Sequence, residues 1–370
     1  MKILDRWKEF FSRDQFLSFI GVVLKGYGQT LFCLNRMMGF FIFLVIFLIS
    51  PQICLLTIIG ASASTLAARV MNVRCAYFHS GCYGFNGVVL GIAWPCFLKI
   101  NAVSIMMLFF LSWGSSVILK CLMDHSSRTR TNVPVFTVPS LVLVWLMYIL
   151  VLYVPSLKAL QGPEQYITEY IQGFQSNILR LYDKQWTDLT IGIYLETFKV
   201  HLMVMLFICI GIYRHSRLSL AVAIVTTAMS VVLVAGIGGL NELGNIDEYL
   251  YNTVPCGMAL GGIFVVLNRK VWLMIVCNLV FIVYTVYLGK HFTDFPIFVA
   301  PFNFFTILSI WLIKKGILTK KSGFYAVPMD LVYSPESAVQ WREGEIYAQN
   351  FWKDIERSWA IKADDTNVKR

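Results

Sequence analysis

Charge is what this chain has least of. Lys and Arg together number 31 and Asp and Glu 21 in 370 residues, while apolar types make up 57% and mean hydropathy is +0.66. A soluble fold of this length needs a polar skin that so few charges cannot supply. Metal and redox patterns are missing as well. The nine cysteines (Cys33, Cys54, Cys75, Cys82, Cys96, Cys121, Cys209, Cys256 and Cys277) form no CxxC pair, and the five histidines form no HExxH or similar cluster. Neither a disulfide framework nor a zinc site is supported. There is no Walker motif, no chain of intramembrane carboxylates suited to proton coupling, no nucleophile–base pair and no cofactor-binding pattern. These gaps argue against an enzyme, against a bound cofactor or metal, and against energised transport. Met1–Asp14 is charged and lacks an apolar core, so no cleavable signal peptide is expected.

What the chain has is long uncharged runs, among them Phe40–Leu48, Ala102–Leu119, Val133–Val154 and Ala221–Ala235. Spans of about 20 apolar residues are the mark of membrane-crossing helices. The expected fold is all-α and polytopic, embedded in a lipid bilayer. It has about ten transmembrane helices, near 30–49, 53–70, 82–98, 102–123 and 134–154, then 192–213, 218–239, 250–268, 271–289 and 296–313. The net charge of +10 does not point to nucleic acid, because the basic residues sit in short clusters between spans. Lys2, Arg6, Lys8 and Arg13, then Arg69 with Arg74, then Lys120, Arg128 and Arg130 fall on one side. Arg214 with Arg217, Arg269 with Lys270, and Lys314, Lys315, Lys320 and Lys321 fall on the same side, which the positive-inside rule makes cytoplasmic. Both termini are then inside. Residues 1–19 form a cytoplasmic segment, 20–154 a first membrane repeat, 155–190 an extracytoplasmic loop, 191–315 a second repeat and 316–370 a cytoplasmic tail. A bacterial inner (plasma) membrane is the expected location.

Five spans per half put the second half in with opposite orientation, and three echoes support such an inverted repeat. Val133–Leu141 (VPVFTVPSL) echoes Phe295–Asn303 (FPIFVAPFN), Pro139 and Pro301 being 162 apart. The stretch around Asn86 (YGFNGVVLGIAW) echoes that around Asn252 (YLYNTVPCGMALGGIF), 166 apart. The segment around Gln29 (GQTLF) echoes that around Glu196 (LETF), 167 apart.

The residues Gly28-Gln29-Thr30, Phe32, Asn35, Gly84-Phe85-Asn86-Gly87 and Pro134-Val135-Phe136-Thr137-Val138-Pro139 resemble the urea transporter family. The likeness covers roughly residues 20–315 and is closer in the first half. It implies a homotrimer in which each protomer has its own pore between two inverted five-helix repeats with re-entrant half-helices. In such a pore aromatic rings flank a flat solute, and backbone carbonyls with a threonine on each side accept its amide hydrogens. The solute implied is urea or a similar small polar amide, moving down its gradient.

On that basis the candidate pore residues are Gln29, Phe32, Phe85, Val89, Thr137, Glu196, Tyr251, Pro255 and Val299. Phe32 and Phe85 would be flat walls, with Val89 covering the slot one turn beyond. Gln29 reads either as a pore-lining amide or as a structural hydrogen bonder. Thr137 reads either as a pore hydroxyl or as a partner for backbone freed by Pro139. Glu196 reads either as a pore mouth or as a partner of Lys199 or His201. Gly81, Gly84, Gly87 and Gly91 would let irregular backbone approach a pore or a neighbour.

The second half departs from the family pattern. Asp247-Glu248-Tyr249-Leu250-Tyr251-Asn252 replaces a glycine-rich turn, Val299 stands where a second threonine is wanted, and Pro255 where an apolar slot residue is expected. Two alternatives therefore stand. The same fold could pass a guanidinium-like or amine solute, should Glu196, Glu242, Asp247 and Glu248 gather at one mouth, or the protein could be a non-conducting scaffold or sensor. In the tail, Ser334-Pro335-Glu336-Ser337 reads as a helix start, followed by Trp341, Trp352, Ile355 and Trp359 on one helical face.

Overall fold

The computed structural model describes residues 13–129, 131–158, 205–243, 246–292, 296–318, 324–327, 334–336, 338–340 and 342–343. Glu196, Trp341, Trp352, Ile355 and Trp359 lie outside the described residues.

Regular structure among the described residues is helical, apart from one antiparallel bridge between Val265 and Ala326. In chain order the helices are α1 Arg13–Gly28, α2 Arg36–Ile49, α3 Pro51–Val70, α4 Cys75–Ser80, α5 Cys82–Ala93, α6 Ala102–Arg128 and α7 Val138–Tyr153. They continue with α8 Met205–His215, α9 Arg217–Leu243, α10 Ile246–Met258, α11 Arg269–Phe292 and α12 Ala300–Lys314. Four of these are long and apolar enough to cross a membrane: α3, α6, α9 up to Gly239, and α11. A fifth crossing is formed if α1 and α2, bent by 78° at their junction, count as one.

The remaining core helices are short. α5 has 12 residues, α10 13, α7 16 and α12 15. At 1.5 Å per residue these are about 18–24 Å long, less than the roughly 30 Å hydrocarbon core of a bilayer. Long and short helices alternate in the same order in the two halves, α3–α5–α6–α7 and α9–α10–α11–α12. The expected first span, 30–49, is corrected at its start. The chain breaks at Phe32, whose φ is 57°, and α2 begins only at Arg36, where Asn35 Oδ1 accepts the Met37 N–H at 2.9 Å.

The glycines of the 81–94 segment are spent on helix packing. A Cβ at Gly87 would lie 2.1 Å from the Gly60 carbonyl oxygen, one at Gly60 2.3 Å from that of Gly87, and one at Gly91 2.6 Å from Thr57 Cα. α5 therefore rests backbone-on-backbone against α3, and its own backbone is helical. Only Gly81, with φ +80°, supplies a turn that an L side chain would strain. Beside this contact, serines tie α3 to α6: Ser64 Oγ donates to the Ser112 carbonyl and Ser116 Oγ to the Ser64 carbonyl, both at 2.8 Å.

Gly87→Ala should lower detergent-solubilised stability by about 1–3 kcal/mol, the usual cost of overpacking a tight contact. Gly114→Ala, where an added Cβ meets nothing within 4 Å, should leave it unchanged or slightly raised. Thermal unfolding of the two variants side by side checks the pair.

Candidate ring-walled cavity between the halves

The N-termini of α7 and α12 set the geometry. A helix start leaves several N–H groups without intrahelical partners, and at membrane depth each unpaired one is costly. In α7 the Thr137 N–H donates to Asn303 Oδ1 (3.2 Å), the Val138 N–H to the Val135 carbonyl (3.2 Å), Pro139 has none to place, and the Ser140 N–H donates to Asn86 Oδ1 (3.2 Å). In α12 the Ala300 N–H donates to the Ile297 carbonyl (3.0 Å), Pro301 again has none, and the Phe302 N–H donates to Asn252 Oδ1 (3.1 Å). The Val138 and Ala300 bonds match, as do those of Ser140 and Phe302, at the offsets of the sequence echoes, while the Thr137 bond to Asn303 belongs to α7 alone.

Just before each of these helices stands a phenylalanine in the left-handed region, Phe136 at φ 48° and Phe298 at φ 45°. That conformation costs an L residue about 1–2 kcal/mol, so it needs surrounding bonds to hold it. Each ring meets one from the other half: Phe136 lies 5.2 Å from Phe264, and Phe298 6.2 Å from Phe97. Phe32 and Phe302 complete a four-ring cluster with Phe136 and Phe264, with neighbouring centroids 5.2–6.4 Å apart.

Against this cluster lies a cavity of about 150 Å³. Its lining includes Gln29, Phe32, Ser80, Cys82, Phe85 and Phe136 from the first half and Ile263 and Phe264 from the second. Three sequence-chosen residues thus meet there: Gln29, Phe32 and Phe85. Gln29 lines the cavity, and its Nε2 donates to the Ser80 carbonyl at 3.1 Å.

The other candidates lie elsewhere. Val89 is half-buried on α5 and Pro255 half-buried within α10, and neither lines this cavity. Tyr251 is 41% exposed on α10 and also apart from it. Thr137 is buried, and its Oγ1 accepts from Asn303 Nδ2 at 2.7 Å, a partner in the other half and not the backbone freed by Pro139. Val299 precedes α12 and packs against the apolar core; its carbonyl accepts from the same Asn303 Nδ2 at 2.8 Å. Sequence reasoning missed Ile263 and Phe264. They follow a widened helical turn, Ala259–Ile263, whose Gly262 has φ +125°. The available signal was Gly261-Gly262 followed by an aromatic, which stands 167 residues after Phe97.

Two of the acidic residues at the α9–α10 turn, Glu242 and Glu248, share one lysine. Glu242 Oε2 accepts from the Tyr249 hydroxyl (2.7 Å) and Lys290 Nζ (3.3 Å), and His291 Nε2 is 3.6 Å from its other oxygen. Glu248 lies 3.5 Å from the same ammonium.

These features define a polytopic helical membrane protein with a small ring-walled cavity between two similarly built halves. The chain belongs to the urea transporter family: the family described as "Urea transporter" matches residues 20–322. It is similar to Urea transporter 1 of Ovis aries and to Urea transporter 1 of Capra hircus, 24% identical to each over 369 residues, with 91% of this chain and 86% of each relative covered. This is a family of transport proteins, not enzymes.

Asn303→Leu should destabilise the protein by about 1–3 kcal/mol, since it strands the buried Thr137 N–H and hydroxyl. Thr137→Val should then cost less in that background than alone, a coupling that a double-mutant cycle of unfolding midpoints reads. At the α9–α10 turn, the Tyr249 hydroxyl bond, opposed by burial and aided by Lys290, holds the Glu242 carboxyl below its ordinary 4.5. Its contribution is complete above pH 4.5 and fades as pH falls through the lowered value. Glu242→Gln should therefore flatten the loss of thermal stability seen below about pH 4.5.

Proposed function

We propose that the chain is a channel for facilitated diffusion of urea, or a closely similar small polar amide, through the space between two inverted five-helix repeats. The observation that carries this reading is the cavity walled by Phe32, Phe85, Phe136 and Phe264 in a chain of this family. Flat rings suit a planar neutral solute, and a lining without fixed charge gives an ion nothing to replace its water shell. The matched capping bonds of α7 and α12, and the exchange of ring partners between halves, support the inverted repeat.

In this reading Phe32, Phe85 and Phe264 are the flat walls and Gln29 is the polar group where solute enters. Thr137 and Val299 stand at the two helix starts that meet at mid-depth, with Val89, Pro255 and Tyr251 along the rest of the path. The cavity lies at the end of the molecule where Lys25, Lys120 and Lys314 bond the carbonyls of His79, Met71 and Asn132. That is the end the charge pattern makes cytoplasmic, together with both termini. Three such protomers in a bacterial inner membrane form the assembly.

Proteoliposomes containing the protein should equilibrate urea at least about tenfold faster than empty ones, and Phe85→Trp, which fills the cavity, should slow this about tenfold, equivalent to roughly 1.4 kcal/mol of barrier. Guanidinium should show no facilitated entry. Urea permeability equal to that of protein-free liposomes in stopped-flow light scattering would overturn the reading.

A further inference from the structure

We propose that Glu336, in the C-terminal tail, is a positioning residue for the cavity: it fastens the tail against the turn that carries Phe264 and so fixes the width of the ring cluster. The tail touches that turn at two places and the start of α9 at a third. The Val266 N–H donates to the Tyr325 carbonyl and the Val327 N–H to the Phe264 carbonyl, both at 2.9 Å, which clips residues 325–327 onto residues 264–266 as a short bridge. Pro335 covers Gly262, so closely that a Cβ there would lie 2.7 Å from the proline's own Cβ. Glu336 Oε1 accepts from Ser216 Oγ at 2.9 Å and from the Leu218 N–H at 3.2 Å, at the start of α9.

The helix start expected at Pro335 is present, with the Ala338 N–H closing onto the Ser334 carbonyl at 3.1 Å. Val266, Val327 and Ala338 bury one another, and the Arg342 guanidinium lies 4.8 Å over the Tyr325 ring. A carboxylate at a helix N-terminus is favourable both as acceptor and as charge. The tail is thus anchored on α9, a long helix, and braces a turn made pliable by Gly261 and Gly262.

The mechanical consequence follows from where Phe264 sits. Its ring is 5.2 Å from Phe136 and 6.1 Å from Phe32, and it lines the cavity. Its carbonyl is held by Val327 and its neighbour Val266 by Tyr325. Freeing the tail frees that backbone, and the ring shifts outward. Discrimination against one extra methyl group in a tight apolar slot is the property most sensitive to such a shift.

The inference rests on the cavity being part of the solute path, so the test has one arm that needs flux and one that does not. Glu336→Ala removes the anchor, Glu336→Gln keeps the accepting Oε1, and Val327→Pro removes the clip's N–H at a separate point. In proteoliposomes, Glu336→Ala and Val327→Pro should raise the methylurea-to-urea permeability ratio about threefold or more, while Glu336→Gln stays near wild type. A tail that only stabilises the fold would lower the yield of both solutes' flux together and leave the ratio alone. In the second arm, alkylation of the cavity-lining Cys82 by a small maleimide, followed by peptide mass mapping, should be faster in the two disruptive variants and not in Glu336→Gln. Absence of wild-type urea flux would sink the channel reading and leave the alkylation arm to decide this one. Ratio and Cys82 reactivity at wild-type values in both disruptive variants would overturn the proposal. Because those two variants act at different contacts, either one that folds is sufficient.

Discussion

A helix that starts in the middle of a membrane needs its first N–H groups satisfied by something other than water. In the proposed reading α7 and α12 both start there, and three asparagines bond their first N–H groups: Asn86 and Asn252, one from each half, and Asn303, which crosses from α12 to the start of α7. Proline at the second helical position removes one donor from each account, and a local turn takes another. With the donors so placed, short helices become tenable at depth, and the space they leave open becomes available to a solute.

The same local geometry delivers the aromatic rings. A chain that must turn into a helix at Thr137 or Val299 passes through a left-handed residue, and in both halves that residue is phenylalanine, not glycine. The strain is sustained because each ring packs against a ring of the other half and because bonds on the following residues pin the backbone. Capping and cavity wall are therefore consequences of one motif. Asn303 links them across the halves, since it holds the Thr137 N–H and hydroxyl together with the Val299 carbonyl. Val299 has no hydroxyl, so this crossing is one-sided, bonded to threonine in one half only.

Much of this was legible in the residues. The offsets between Pro139 and Pro301 and between Asn86 and Asn252 reappear as matched hydrogen bonds, because short-range capping is written in short-range sequence. Gln29, Phe32 and Phe85 reach the cavity because their motifs fix both identity and spacing. The job of Gly84, Gly87 and Gly91 was read less well: glycine permits close approach without saying to what, and the neighbour is α3. Tyr251, which the echo of YGFN and YLYN sets opposite Phe85, is 41% exposed on α10 and lies apart from this cavity. The second half's part of the cavity lining is Ile263 and Phe264, after a helix carrying an internal proline and a widened turn. Neither device shifts the sequence echo, but both change which residue faces inward.

That contrast explains why the two halves are held differently. In the first half the cavity-bearing helix α5 is fixed by backbone against backbone, glycine on glycine, a contact with almost no rotameric freedom. The counterpart of Gly60 in the second half is Thr226, and a Cβ at Gly257 would meet its Cγ2 at 2.1 Å, while one at Gly261 would meet Val222 Cγ1 at 2.5 Å. Here glycine packs on side chains, a softer contact, and the helix then runs into Gly262 at φ +125°. A wall built on such a turn needs support from outside the membrane repeat. The described part of the tail supplies it at Gly262, Phe264 and Val266.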